Sequence, residues 1–288
     1  MAIDLPRPRG ESLRAWGFLL PALLWTAAFF LLPLAIMAVY SLWRRVGHKV
    51  ETDISLQNYE NFFAKSYFYE SLINSLEVTV LVTFISILLA YPLAYTLAEK
   101  VPSRWQRIAL IMAILPFWTS YVVRSYSWLL VLSEGGIISN FLLDVGLSSE
   151  PISLANSRSA TVIGFVHFFV MLLTLTIFAN LVQLPKNYRR AAADLGAGPL
   201  RTFIYIIFPL TLPGIMVGAF LTFVLCIGDF ITPAILGGKR ELLLPQTIML
   251  QIERRSDFPS ASALAMILMM VVSMVYLGCA RWLRLDRL

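Results

Sequence analysis

Two charged residues fall where charge is costly. Asp229 and Arg124 each stand alone inside a long apolar run, at residues 210–236 and 108–132. A carboxylate in the hydrocarbon region costs on the order of 3 kcal/mol on insertion scales, so Asp229 is expected to face a partner or a watery path. One reading makes it a cation-attracting group along a pathway. The other places it near the outer interface, paired with Lys or Arg, or capping a helix that Pro233 interrupts. Arg124 has a stem long enough to carry its guanidinium to the headgroups, and that role is preferred to contact with substrate; pairing with Asp229 or Glu77 is the further option. Trp118, Tyr121, Tyr126 and Trp128 offer ring faces to a cation, and equally the aromatic belt of a membrane interface. His48 lies in a polar loop and His167 in an apolar run, without the neighbours of a metal site or catalytic triad, so packing is their expected role. Cys226 and Cys279, both in apolar runs, indicate neither a disulfide framework nor zinc.

A different kind of chemistry, mechanical coupling, is written in residues 184–199, Leu-Pro-Lys-Asn-Tyr-Arg-Arg-Ala-Ala-Ala-Asp-Leu-Gly-Ala-Gly-Pro. Pro185 suits the first turn of a helix. Three consecutive alanines favour its interior, and Gly196 is placed to end it. Gly198 before Pro199 then opens a second helix. Tyr188, Ala191, Ala192 and Leu195 recur at i, i+3, i+4 and i+7, one small apolar face bordered by Arg189, Arg190 and Asp194. A short rigid helix of this kind, held between two spans, inserts into a groove of a soluble partner and carries rigid-body motion into the membrane. Residue chemistry alone leaves an equal alternative, an ordinary loop whose small residues let the chain turn.

These groups need elements to hold them. Of 288 residues, 58% are hydrophobic and 14% charged, with a mean hydropathy of +0.75. A soluble domain carries nearer a quarter charged residues, so lipid accounts for the excess better than a larger core. Crossing about 30 Å of hydrocarbon takes roughly 20 apolar residues. Six runs qualify: 17–40, 78–98, 108–132, 159–182, 210–236 and 260–280. The first follows Arg7, Arg9 and Arg14, but it is too long for a signal-peptide core and lacks a small-x-small cleavage site at 38–43, so it is read as retained. The polar stretch 42–72 is expected to hold a short interfacial helix at 58–63. Gly214 and Gly218 form a small-xxx-small pair suited to close packing, with a second subunit the suggested neighbour.

The net charge of +6 does not indicate nucleic acid, because the basic residues sit at the ends of apolar runs rather than in one patch. With the N-terminus inside, the inner segments carry Arg7, Arg9, Arg14, Lys100, Arg104, Arg107, Lys186, Arg189, Arg190, Arg201, Arg281, Arg284 and Arg287 of the 23 Lys and Arg. The shortest loop holds three of them, and short loops weigh most in the positive-inside effect. Both termini are then cytoplasmic. Gly237-Gly238-Lys239 has neither the spacing nor the hydroxyl of a phosphate loop, so any ATP is expected on another chain and this one is not an enzyme.

Aligned on Gly196, the 184–209 segment resembles the signature loop of binding-protein-dependent ABC importer permeases: Glu-Ala-Ala, three residues, Gly, nine residues, Ile-x-Leu-Pro. Here the matching residues are Arg190-Ala191-Ala192, Gly196 and Ile206-Ile207-Phe208-Pro209, with Arg190 in place of Glu and Phe208 in place of Leu. Asn74-Ser75-Leu76 with Thr79, then Pro92-Leu93-Ala94-Tyr95, is similar to the start of that family's core. Leu115-Pro116-Phe117-Trp118-Thr119-Ser120 with Arg124-Ser125-Tyr126 looks like the spermidine/putrescine branch, as does Gly228-Asp229-Phe230-Ile231-Thr232-Pro233 with Leu236-Gly237-Gly238. The resemblance spans about residues 70–283.

It implies an all-α, six-helix type I ABC importer permease in the bacterial inner membrane. Residues 1–69 would form the N-terminus, first span and outer loop, 70–283 the permease core with a coupling loop at 183–209, and 284–288 a cytoplasmic tail. The implied partners are a similar second permease, a cytoplasmic ATPase homodimer and a periplasmic substrate-binding protein. ATP and Mg would be bound by the ATPase and no cofactor by this chain. Tyr188, Arg190, Ala191, Ala192, Asp194, Leu195, Gly196 and Pro209 would couple to the ATPase; Asp229, Trp118, Tyr121 and Thr232 would line the substrate pathway. The implied cargo is a small, polyamine-like cation, with amino-acid-like or opine-like solutes as alternatives. A secondary transporter would show internal repeats and several intramembrane charges, which this sequence lacks. A non-transporting scaffold or sensor would show no substrate dependence and no ATPase association.

Overall fold

The computed structural model describes residues 9–47, 49–185, 187–238 and 241–283. His48, Lys186, Lys239, the terminal Arg7, Arg284 and Arg287, and the expected 284–288 tail lie outside them. Among the described residues, six stretches are long and apolar enough to cross a membrane: Trp16–Ser41, Ser66–Glu99, Tyr121–Asp144, Arg158–Gln183, Pro199–Ile227 and Phe258–Ala280.

The first crossing is α1 (Arg9–Thr26), a π-helical segment (Ala27–Leu31) and α2 (Leu32–Ser41). The fifth begins alike, with α10 (Pro199–Thr202), a π segment (Phe203–Ile207) and α11 (Phe208–Ile227); α3 to α9 lie between and are given below. Each π segment ends two residues before a proline, Pro33 or Pro209. Proline lacks an N–H and its ring clashes with the carbonyl four residues back, here Phe29 and Tyr205, so the ladder widens at that point.

A small hairpin follows the first crossing, β1 (Arg44–Val46) antiparallel to β2 (Lys49–Glu51), with Arg44 opposite Glu51 and their side chains 2.8 Å apart. Strands of three residues carry no readable periodicity, and composition did not anticipate them. The expected interfacial helix is α3 (Gln57–Ala64). Its buried Asn58 donates to the carbonyls of Ser41 (3.0 Å) and Trp43 (2.6 Å) and accepts from Ser260 (3.3 Å), tying the end of the first crossing to the start of the last.

α4 (Ser66–Glu99) is 34 residues, roughly 51 Å at 1.5 Å per residue, so it projects beyond the hydrocarbon at its outer end. There Glu77 meets Arg158 at 2.5 Å, beside the N-terminus of α8 (Arg158–Gln183).

The third crossing is not one helix. α5 (Ser103–Ile114) passes into a 3-10 turn (Leu115–Trp118), the chain breaks at Thr119 and Ser120, and α6 (Tyr121–Leu132) continues. Its contacts run antiparallel along α8. Leu132 packs with Ala160, Trp128 bonds His167, Phe117 stacks on Phe168, and Gln106 shares a cleft with Leu181. The crossing is therefore 103–132. α7 (Ile137–Asp144), though apolar, is a separate helix, because residues 133–136 are not helical; a Cβ at Gly136 would sit 2.4 Å from the Leu130 carbonyl, so the tight turn there needs glycine. A second correction concerns the expected run 210–236. α11 ends at Ile227, residues 228–230 are not helical, and α12 (Ile231–Leu236) restarts. The remaining elements are α9 (Asn187–Asp194), α13 (Leu244–Glu253) and α14 (Phe258–Leu283).

The core is the packing of α4, α8 and α11. Ala90, Tyr91, Leu173, Ile177 and Ile215 fill its inner half, and Val78, Val82, Phe165, Phe169 and Cys226 its outer half. The Gly214 and Gly218 pair is used inside the chain rather than toward a second subunit. A Cβ at Gly214 would stand 2.4 Å from Asn180 Nδ2, and one at Gly218 2.9 Å from Leu173, both on α8. Most of the first crossing, by contrast, is exposed, Phe18 by 85% and Trp25 by 67%, as a lipid-facing helix should be.

Candidate substrate pathway and coupling helix

The two breaks meet. Tyr121, the first residue of α6, donates its phenolic proton to Asp229 Oδ2, and its oxygen lies 2.5 Å from Thr232 Oγ1. Since a phenol has one proton to give, Thr232 donates to Tyr121 and Tyr121 to the carboxylate. The other oxygen of Asp229 accepts the Ile231 backbone N–H at 2.8 Å, capping α12. Asp229 is thus both a helix cap at the interrupted fifth crossing and the end of a polar chain from the third. Thr232 is buried, Tyr121 and Asp229 half-buried, and Phe168 packs edge-on against Tyr121 at 5.1 Å. A carboxylate that is partly exposed and pairs with no Lys or Arg among the described residues can receive an organic cation.

Trp118 is not part of this group. It stands one residue before the break and is 76% exposed. Tyr126 is also outward, while Trp128 donates to His167 Nδ1 at 2.8 Å and so serves helix packing.

Arg124 overturns its expected role. Rather than reaching the headgroups it is 7% exposed, donating to the carbonyls of Phe117 (3.2 Å) and Thr119 (2.9 Å). Those are carbonyls that the break in the third crossing leaves without helical partners. Its guanidinium carbon lies 5.2 Å from the Phe168 ring centre and 5.9 Å from that of Tyr121. It pairs with neither Asp229 nor Glu77. Arg124 satisfies these carbonyls at the break, a role the sequence pattern could not reveal because carbonyl acceptors carry no residue signature.

At the other end, α9 ends as its glycine implies. Gly196 adopts φ 76°, its N–H bonds the Ala193 carbonyl at 2.9 Å, and the Ala197 N–H bonds that of Ala192 at 2.9 Å. This is a Schellman cap, and a side chain at 196 would be strained. Gly198 precedes Pro199 at the start of α10, and Pro209 opens α11. The four-residue apolar face is divided. Ala192 is buried against the membrane domain, whereas Tyr188, Ala191 and Leu195 are exposed, Leu195 by 89%. Arg190 and Asp194 are exposed as well. Arg189, assigned only to the border, turns inward and pairs with Glu99 at the end of α4. An aromatic group under the loop also went unread. Tyr91, Tyr95, Phe203 and Phe208 pack edge to face, with Tyr91 3.1 Å from Thr211, beside a cavity of about 640 Å³.

The chain is thus a bundle with two broken crossings joined through a carboxylate and a capped helix between its fourth and fifth crossings, the architecture of a polytopic membrane protein. Residues 79–284 match the family described as binding-protein-dependent transport system inner membrane component, and the chain belongs to that family. It is 34% identical over 254 residues to the spermidine/putrescine transport system permease protein PotB of Escherichia coli K12, covering 88% of this chain and 92% of that one. The PotB of Haemophilus influenzae is 31% identical over 256 residues, covering 88% and 89%. A bacterial ABC transporter that imports the acidic polysaccharide alginate has the same fold, with a TM-score of 0.77 at 15% identity over 94% of this chain and 95% of that one. The protein is a multi-pass inner-membrane permease subunit of the type I ABC importer fold. It is not an enzyme, and the ATPase is a separate subunit.

Proposed function

We propose that this chain moves polyamines of the spermidine/putrescine class inward across the bacterial inner membrane by alternating access. The observation that carries the cargo class is the half-exposed Asp229 carboxylate, held by Tyr121 and the α12 backbone where the two breaks meet. The likeness to PotB supports it. A polyamine offers ammonium groups to the Asp229 carboxylate, which pairs with no Lys or Arg among the described residues, and methylenes to the surrounding apolar side chains.

In this reading a similar second permease chain completes the pathway, and two copies of a cytoplasmic ATPase bind ATP and Mg. Both termini lie in the cytoplasm. The ATPase meets α9, which is tied to α4 through Arg189 and Glu99. ATP-driven closure favours the outward-open state only by as much as it binds that state more tightly, and hydrolysis removes the preference. Residues 119–120 and 228–230, without continuous helical bonding, are the compliant points at which one end can move against the other.

The test is ATP hydrolysis by the reconstituted complex, stimulated by a panel of ligand-loaded periplasmic binding proteins. Polyamine-loaded protein is expected to stimulate. Stimulation by an anionic solute with none from polyamines would overturn the cargo assignment.

A further inference from the structure

Pro209 shapes more than the start of α11. The π segment before it closes with the Phe208 N–H on the Phe203 carbonyl. In an α-helix, residues five apart point about 140° away from each other. A turn widened to i→i+5 bonding brings them to one side. Phe203 and Phe208 accordingly stand with ring centres 6.3 Å apart, and Tyr91 of α4 packs edge-on against each at 5.7 Å. With Leu88 of α4 and Leu200 of α10, these rings line an open cavity of about 640 Å³.

The cavity has the polarity and the depth of a lipid. Leu88 and Leu200 are exposed, and Leu81 and Phe84 carry the exposed stripe of α4 onward, so an apolar surface leads into it from the middle of the bilayer. Among the described residues its one charged lining group is Lys100, which caps the end of α4 and makes no ion pair within 4 Å. Leu88 and Lys100 lie about 18 Å apart along the helix axis, close to the roughly 15 Å of one leaflet's hydrocarbon. Arg104, Arg107 and Arg201 are exposed at the same end. A cation is repelled there, and a soluble anion gains nothing from the apolar length.

We propose that this groove binds an anionic phospholipid, with its phosphate on Lys100 and one acyl chain laid along Leu88, Phe203 and Phe208. The ammonium donates charge-assisted hydrogen bonds to the phosphate. Basic pockets between membrane helices on the cytoplasmic side suit such headgroups, and with both termini in the cytoplasm, as proposed above, this end faces that leaflet. The chain fills the space between α4 and α10 and so braces the entry to the fifth crossing. The site is separate from Asp229 and independent of the cargo.

The full chain is purified in detergent and titrated with phosphatidylglycerol, or with phosphatidylcholine of the same acyl chains. Native mass spectrometry reads the lipid retained. Thermal unfolding reads stabilisation, because a ligand held by the folded state raises the unfolding temperature. The unsubstituted chain should prefer phosphatidylglycerol and unfold at a higher temperature with it. Lys100→Gln should weaken that retention about fivefold, and Lys100→Arg should keep it. Leu88→Trp leaves the charge and fills the groove, and it should lose retention and lipid-induced stabilisation together. Arg104→Gln, at the same end but outside the cavity lining, should change neither. Leu88 and Lys100 are exposed, so lipid-free unfolding temperatures should stay at the parent's; Lys100→Gln carries the test alone if the tryptophan is not accommodated.

Equal retention by Leu88→Trp and the parent would overturn the proposal. So would equal loss from Arg104→Gln and Lys100→Gln, which marks diffuse charge, or displacement of the lipid by excess glycerol 3-phosphate, which marks a headgroup site alone. A parent without preference between the two lipids would overturn it as well. Retention that disappears in the assembled importer would do the same, because a partner subunit then covers the groove.

Discussion

Asp229 and Arg124 entered as two lone charges in apolar runs and have opposite fates. Asp229 keeps one oxygen on the α12 backbone and shares the other with Tyr121. Asp229→Asn preserves the shape and the cap acceptor but removes the charge. Polyamine uptake should fall by about tenfold with assembly intact, since a hydrogen bond to a charged group contributes about 1.5–3 kcal/mol; unchanged uptake would remove this residue from the pathway. Arg124→Leu should act differently, because it leaves two carbonyls at the break without donors. Each buried unsatisfied group costs about 1–3 kcal/mol, so a lower detergent unfolding temperature is expected, with Arg124→Lys recovering only part of it because a point charge cannot reach both carbonyls. The sequence identified Asp229, Tyr121 and Thr232 as pathway candidates through motif resemblance, and the structure brings those three together. It could not identify the function of Arg124, nor the exposure of Trp118, because both depend on the break at Thr119 and Ser120, which Pro116 precedes by three residues without fixing where the side chains turn.

Elements were legible where one physical signal governs them. Gly196 after an alanine run sets the end of α9 through its positive φ, and apolar length sets the number of crossings. The interruption at 228–230 was less legible, because a hydropathy run does not register a lost hydrogen bond. Helix-to-helix contact was legible in kind but not in address. Gly214 and Gly218 do mark a close approach, but the neighbour is α8 of the same chain. Gly214→Leu should therefore disrupt the isolated permease and not merely its pairing with another subunit. Overpacking of this sort costs about 1–3 kcal/mol, and a drop in detergent unfolding temperature for the permease purified alone is the measurement. A variant unstable only in the full complex would contradict it. Gly196→Trp belongs at this scale too. It should leave insertion unchanged while uncoupling ATP hydrolysis from uptake, because the cap that sets the exit angle of α9 no longer forms.

Across the whole molecule, several polar ties join residues far apart in sequence. Arg189 and Glu99 join the inner end of the bundle, Tyr121 and Asp229 its middle, and Asn58 its outer rim. The Asn58 tie reaches Ser260, 202 positions further along the chain. At 5–20 residues per second, synthesis of that interval takes roughly 10–40 s. During all of it the first crossing sits in the bilayer with its outer clasp unfinished. Asn58 is thus a late checkpoint of biogenesis, and its loss should be visible in the lifetime of the newly made chain more than in the transport rate of the survivors. Pulse-chase of Asn58→Leu should show a fraction degraded soon after synthesis, with the remaining molecules importing at close to the normal rate per copy.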